Sequence, residues 1–136
     1  TSVHLDLHDE PLVLKADREE LRRLYINLLK NALQAIPDDR DGEIHVRTER
    51  TQPSGDVAPH AYSSITDTGA GIPAHLHGKI FQPNFSTKTS GTGLGLAIAR
   101  KSIEELDGRI DFETTEGHGT TFRIWLPLAE EATVSA

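Results

Sequence analysis

The sequence contains no cysteine. That absence removes disulfides, thiolate nucleophiles and cysteine-based zinc or iron–sulfur sites together, and it fits a reducing compartment. No apolar run approaches the roughly 20 residues that a membrane helix needs. The opening T-S-V-H-L-D-L also lacks the basic and apolar regions of a secretion signal. A cytoplasmic domain making no membrane contact of its own is therefore expected. Basic runs are missing as well: 14 Lys and Arg stand against 21 Asp and Glu, a formal charge of −7. Affinity for a nucleic-acid backbone comes from clustered cations, so a general nucleic-acid binder is argued against, and an anionic ligand would need donors placed locally. There are no internal repeats.

The 136 residues amount to one domain's worth of chain. With 36 % hydrophobic and 26 % charged residues, the composition is globular rather than collagenous, coiled-coil or wholly disordered. Residues 3–7 alternate like a strand, 8–11 turn, and 12–15 form a second short extended candidate. Asp17 with Glu20 three residues on is a capping-box pattern, and Leu21, Leu24, Leu28, Ala32 and Ala35 recur at helical spacing, which predicts a helix over 17–36. Pro37 and D-D-R-D-G stop it. Residues 43–50 then alternate with Ile44 and Val46 inward, and 61–66 resume the pattern after a turn-rich segment, predicting a long hairpin with a mobile tip.

From 67 to 95 the texture changes to Gly, Pro, Ser and Thr, with a short helical patch at 76–81. Roughly 30 residues of so little regular structure is uncommon in a compact domain and signals function. A second helix starts at Leu94, with Ala97, Ile98, Ser102 and Ile103 on its apolar stripe and Asp107-Gly108 as its cap. Residues 109–115 and 120–126 read as a closing hairpin, and 129–136 as a flexible small-residue tail. The whole predicts an α/β sandwich, a mixed or mainly antiparallel sheet with helices on one face.

Three elements carry chemistry. Asn27 and Asn31 lie four apart on the first helix and so project from one face. Two amides inside an apolar run cost stability unless used; they serve either as oxygen ligands for a hard cation such as Mg²⁺ or as bridges to neighbouring elements. D-T-G-A-G-I-P, 67–73, places the Asp67 carboxylate at a strand end, beside glycines that let backbone approach a flat ligand. It would accept from the 6-amino group of adenine, whereas guanine presents a carbonyl there. An ordinary Asp-Gly turn has the same signature. G-T-G-L-G-L, 91–96, opens the second helix, whose unpaired amides and dipole suit phosphate oxygens. It is neither a P-loop nor a dinucleotide fingerprint. Lys88 just before it is either a phosphate contact or a solvated loop lysine.

Taken in order, N-L-L-K-N-A, D-T-G-A-G-I-P, F-Q-P-N-F-S-T-K, G-T-G-L-G-L and G-H-G-T-T-F resemble the ATP-binding catalytic domain of sensor histidine kinases over residues 5–128. The wider superfamily includes gyrase, the Hsp90 chaperones and the MutL repair proteins. The resemblance implies a two-layer α/β sandwich of the Bergerat type, binding ATP under a mobile lid in a domain spanning 1–128. It implies that Asn31, with Asn27, holds Mg²⁺ and the phosphates, and that Asp67 reads the adenine amino group, supported through water by Thr120. Gly69, Gly71 and Ile72 would shape the adenine pocket, Phe81 and Phe85 would belong to the lid, and Lys88 with Thr92, Gly93, Leu94, Gly95 and Leu96 would contact the phosphates.

Departures from the pattern refine this. Hydrolysing relatives carry a glutamate base where Asn27 stands, and an amide takes up no proton at neutral pH, so rapid ATP hydrolysis is disfavoured. Gln34 stands where many histidine kinases have a basic residue; with F-S-T-K it resembles the nitrogen-regulator type and shifts phosphate neutralisation toward Lys88. No phosphoacceptor histidine in a helical hairpin is found, since His8-Asp9-Glu10-Pro11 lies in a strand-and-turn pattern. The chain reads as a dissected domain that presents the γ-phosphate of Mg-ATP to a histidine on a separate dimerisation domain, with a response regulator downstream. The alternatives are a self-contained ATPase, an anti-sigma-type serine kinase, and a nucleotide-sensing docking module. His75 and His77, two apart with no third ligand nearby, read as exposed loop residues rather than a metal pair.

Overall fold

The computed structural model describes residues 1–52, 58–82 and 95–129. Its elements in order are β1 (Ser2–Asp6), α1 (Arg18–Ala35), β2 (Glu43–Thr51), β3 (His60–Asp67), a 3₁₀ turn (Ala74–Leu76), α2 (Gly95–Glu105), β4 (Arg109–Thr115) and β5 (Gly119–Pro127). The tip of the β2–β3 hairpin, the segment 83–94 and the tail from 130 onward lie outside the described residues.

Local chemistry sets the limits of α1. The Asp17 carboxylate accepts from the Glu19 amide at 3.0 Å, satisfying one of the donors that a helix start leaves unpaired. Glu19 and Glu20 lie in the first turn, where the helix dipole favours negative charge. At the other end Ile36 is extended, with φ −85° and ψ 122°, as the residue before Pro37 is constrained to be. Leu24, Leu28 and Ala32 are buried, the inward face that their spacing predicts.

The five strands form one sheet in the order β1-β2-β3-β5-β4. The β1–β2 pair is parallel and the others are antiparallel. The parallel pair follows from α1, which supplies the crossover that parallel neighbours require. Register aligns residues in rows across the sheet. One row facing the helices runs Leu5, Val46, Ile65, Phe122, Phe112, and the next runs Val3, Ile44, Asp67, Thr120, Thr114. The first is wholly apolar, and its central members join Leu24, Leu28, Ala99 and Ile103 in the core. The second turns polar over its last three positions, at the edge of that core. Val3 and Leu5 belong to the inner rows yet are 54 % and 65 % exposed.

Three expectations need correction. Residues 12–15 join no strand; Leu14 packs on the core, and the Val13 carbonyl takes one bond, from the Ala129 amide at 2.8 Å. The patch at 76–81 is a 3₁₀ turn followed by further turns rather than a helix. On α2 the buried residues are Ala99 and Ile103, with Leu96 and Leu106 packed beside them, and Ile98 is 44 % exposed. The Asp107-Gly108 stop is a Schellman-type cap in which Asp107, at φ 63°, takes the left-handed position. The Gly108 amide reaches back to the Ile103 carbonyl at 2.8 Å. Gly108 is required for a different reason: a Cβ there would strike the Trp125 carbonyl oxygen. No helix among the described residues is long and apolar enough to cross a membrane.

Candidate functional site

The polar end of the second row opens into a cavity of about 150 Å³. β3 supplies Asp67 to it, α1 supplies Asn31 and Ala35, the following loop supplies Gly71, Ile72 and Pro73, α2 supplies Leu96, and β5 supplies Thr120. Residues separated by up to 89 positions are thus gathered by the pairing of β3 with β5 and by two helices on the same face.

Asp67 is a carboxylate only 2 % exposed, so it stands in a setting that demands hydrogen-bond partners. One is the Gly69 amide, which donates to its Oδ1 at 2.9 Å and fixes the carboxylate's orientation. Gly69 is tolerated there because it lacks a side chain: a Cβ would strike the Ala35 carbonyl oxygen. Next to it the Ala70 amide donates to that same carbonyl at 3.0 Å, so the loop supplies a partner for an otherwise unpaired helix-end acceptor. Gly71 has φ 75°, and a Cβ on it would strike the Thr115 carbonyl oxygen. Gly119, at φ 132°, passes so close to Asp67 that a Cβ would strike the Asp67 carbonyl oxygen.

Thr114, on β4, ties these pieces together. Its hydroxyl accepts from the Ile72 amide at 3.0 Å, donates to the Gly119 carbonyl at 2.9 Å and lies 2.9 Å from the hydroxyl of Thr120. It was not singled out in the sequence, although the hairpin pattern of G-H-G would have set it opposite Thr120. Below the cavity, Tyr25 on α1 meets Ser63 on β3, hydroxyl to hydroxyl, at 2.7 Å. Burial pushes the Tyr25 hydroxyl above its ordinary value of 10.0, and the bond to Ser63 acts in the opposite direction.

Of the residues expected in a ligand site, Asn31, Asp67, Gly71, Ile72, Leu96 and Thr120 line this one cavity. Gly69 is buried behind it. Asn27 sits half-buried one turn earlier on α1, Gln34 is exposed near its end, and Gly95 opens α2. Phe81 is half-buried, with its ring 6.0 Å from that of Phe112 and 6.3 Å from that of Phe122, and with Arg100 5.4 Å above it. Phe85, Lys88, Thr92, Gly93 and Leu94 lie outside the described residues. His75 is exposed as expected. His77 is not: its Nε2–H donates to the Ile72 carbonyl at 2.9 Å and its ring stands edge-on to Phe112. It braces the loop that lines the cavity.

Residues 16–130 match the family described as histidine kinase-, DNA gyrase B-, and HSP90-like ATPase. The chain is 40 % identical over 123 residues to the signal transduction histidine-protein kinase AtoS of Escherichia coli, covering 90 % of this chain and 19 % of that protein. It is 37 % identical over 122 residues to the sensory histidine kinase/phosphatase NtrB of Klebsiella oxytoca, covering 85 % of this chain and 34 % of that one. The chain therefore spans about a fifth of the length of the first of these relatives and about a third of the second. Among solved structures, a nucleotide-free catalytic domain of the histidine kinase ThkA superposes with a TM-score of 0.76 at 35 % identity, covering 93 % of this chain and 78 % of that one. With a mixed five-stranded sheet, two helices on one face and the boxes in their family order, the chain belongs to the histidine kinase-, DNA gyrase B-, and HSP90-like ATPases and is an ATP-binding domain of the sensor histidine kinase type.

Proposed function

We propose that this domain, over residues 1–128, binds Mg-ATP and presents its γ-phosphate to a histidine carried by a separate dimerisation domain of a two-component kinase, with a response regulator downstream. The observation that carries the reading is the buried Asp67, oriented by the Gly69 amide and facing a cavity that it shares with Thr120 and Asn31. A carboxylate has acceptor sites for more than one donor, so it would take the exocyclic amine of adenine while bonded to Gly69. Ile72 and Gly71 would line the slot for the base, with Gly69 shaping it from behind by letting the loop pack on the Ala35 carbonyl. At about 150 Å³ the cavity is smaller than the roughly 300–1,000 Å³ of whole-ligand clefts. It suits the base, with the phosphates extending toward Asn31 and the start of α2.

The amide oxygen of Asn31, in the cavity wall, fits a hard cation, and Asn27 would share that duty from one turn earlier. Mg²⁺ would neutralise phosphate charge during transfer. Gly95 and Leu96, with Lys88, Thr92, Gly93 and Leu94, would hold the phosphates, Gln34 would stand at the outer end of that track, and Phe81 with Phe85 would belong to the lid. Catalysis by this chain is then positioning and charge stabilisation, the nucleophile coming from outside. Asn27 takes no proton at neutral pH, so the isolated domain would turn ATP over slowly.

Thermal unfolding with Mg-ATP, Mg-ADP and Mg-GTP tests the pocket. A ligand at a hundredfold excess over its Kd stabilises the folded state by about 2.7 kcal/mol. The expected result is a shift for both adenine nucleotides, none for GTP, and its loss in Asp67→Asn. Mixing the domain with a histidine-bearing hairpin domain and labelled ATP then tests transfer. Acid-labile label on the hairpin supports the proposal; acid-stable label, steady hydrolysis without a hairpin, or binding without transfer would replace it with one of the alternatives.

A further inference from the structure

We propose that the face of the sheet turned away from the nucleotide cavity carries a site for a borderline transition-metal ion, built by His4, Glu43 and His45. Successive residues of a strand point to opposite faces. With Ile44 inward beside Asp67, both Glu43 and His45 point outward. The parallel register sets His4 of β1 directly opposite His45 of β2. Their rings stack with centroids 4.6 Å apart and planes within 11°. The two imidazoles thus present their edges side by side, with the carboxylate at one end.

The donor atoms already converge. Glu43 Oε1 lies 2.9 Å from His45 Nε2 and 3.6 Å from His4 Nε2, and all three ligand atoms lie within 4.8 Å of one another. Around a tetrahedral ion bound at about 2.0–2.1 Å, neighbouring donors stand about 3.3 Å apart, midway between the two observed separations. All three side chains are exposed, so the remaining adjustment is a rotation at the surface rather than a repacking. The Ser2 hydroxyl, 3.1 Å from His4 Nε2, is the one further polar side chain that contacts these donors among the described residues. Two imidazoles and one carboxylate select Zn²⁺, Ni²⁺ or Cu²⁺ over Mg²⁺ and Ca²⁺, which prefer oxygen alone. Water would complete the coordination. The site is thus chemically distinct from the amide-oxygen position at Asn31, and it does not depend on the nucleotide reading.

Such an ion would pin β1, an edge strand held on one side only, to β2. Glu43 is also bound through its backbone to Thr68, the residue after Asp67: the Glu43 amide donates to the Thr68 hydroxyl at 2.9 Å, and the Thr68 amide to the Glu43 carbonyl at 3.1 Å.

Calorimetric titration of chelator-treated, nucleotide-free protein with zinc chloride tests the proposal. The expected result is one ion per chain, with affinity at least about tenfold weaker in His4→Ala, in His45→Ala and in Glu43→Gln, and unchanged in His75→Ala. The three donors are exposed, so the variants should keep the metal-free Tm of the wild type, and zinc should raise Tm only where the donors are intact. Co²⁺ should give the visible absorption of a low-coordinate nitrogen–oxygen site in the wild type and not in the His variants. No stoichiometric zinc binding, or binding that survives His4→Ala and His45→Ala undiminished, would overturn the proposal.

Discussion

The hydroxyls of Thr114 and Thr120 face each other at 2.9 Å across the β4–β5 hairpin. Because Thr114 gives its single proton to the Gly119 carbonyl, it accepts from Thr120. The lone pairs of Thr120 are then left as acceptors beside the cavity, the polarity that a bridging water would meet.

Thr114→Val keeps the shape and removes this hub. It strands the Ile72 amide and the Thr120 hydroxyl, each in a buried or half-buried position, at a cost of about 1–3 kcal/mol. Urea unfolding should show that loss, and the Mg-ATP shift in Tm should shrink with it. An unchanged shift would mean that Thr120 does not depend on Thr114 for its orientation.

Two glycines with similar backbone angles should respond differently to alanine. Gly117, at φ 86°, has open space around it, so Gly117→Ala should cost only the strain of its angle, about 1 kcal/mol. Gly71, at φ 75°, faces the Thr115 carbonyl, and Gly71→Ala should cost clearly more and abolish the nucleotide shift. Equal losses in chemical denaturation would show that the loop yields to admit the side chain.

Tyr25 predicts an alkaline limit to stability. Its folded-state pKa lies above the ordinary 10.0, so the folded protein holds this proton where the unfolded chain has released it. The stabilisation is complete below the unfolded value and is lost as pH rises through the folded one. Tyr25→Phe deprives Ser63 of its partner and should cost about 1 kcal/mol near neutrality, yet lose less stability than the wild type above pH of about 10. Parallel Tm curves for the two proteins across that range would sink the assignment.

On α2 the two isoleucines should separate cleanly. Ile103 is fully buried, and Ile103→Ala should cost about 2–5 kcal/mol. Ile98, nearly half exposed, should cost less than about 0.5 kcal/mol in Ile98→Ala. Paired denaturation curves decide it.

These contrasts mark what the sequence can express. Helix α1 was legible to within one residue at each end, because its start is written in Asp17 and its end in Pro37, both local devices. The two hairpins were legible for the same reason, since alternation and turn residues lie within a few positions of each other. Ile98 was misplaced because adjacent residues of a helical stripe, here Ala97 and Ile98, flank its centre, and only the docked partner selects which side faces in. Residues 12–15 look like a strand by composition, but both edges of the sheet are formed by other segments. The candidate site was visible as separate boxes; their meeting in one cavity was implied by the family resemblance alone and not by spacing, since Asn31, Asp67 and Thr120 come together through helix packing and strand order. The facing of His4 and His45 was hidden most completely, because a parallel register joined through α1 leaves no trace in local spacing.

The placement of β3 beside β5 also bears on how the protein is made. Asp67 and Thr120 are paired neighbours separated by 53 positions, whereas β2 and β3 are joined by eight residues and β4 and β5 by three. Closing the longer loop costs more chain entropy before any contact repays it. Synthesis runs from the N-terminus, so the first hairpin is complete while β5 is still unmade. The domain therefore acquires its ligand-binding competence as a late event in folding, when its last strand enters the middle of the sheet rather than its edge.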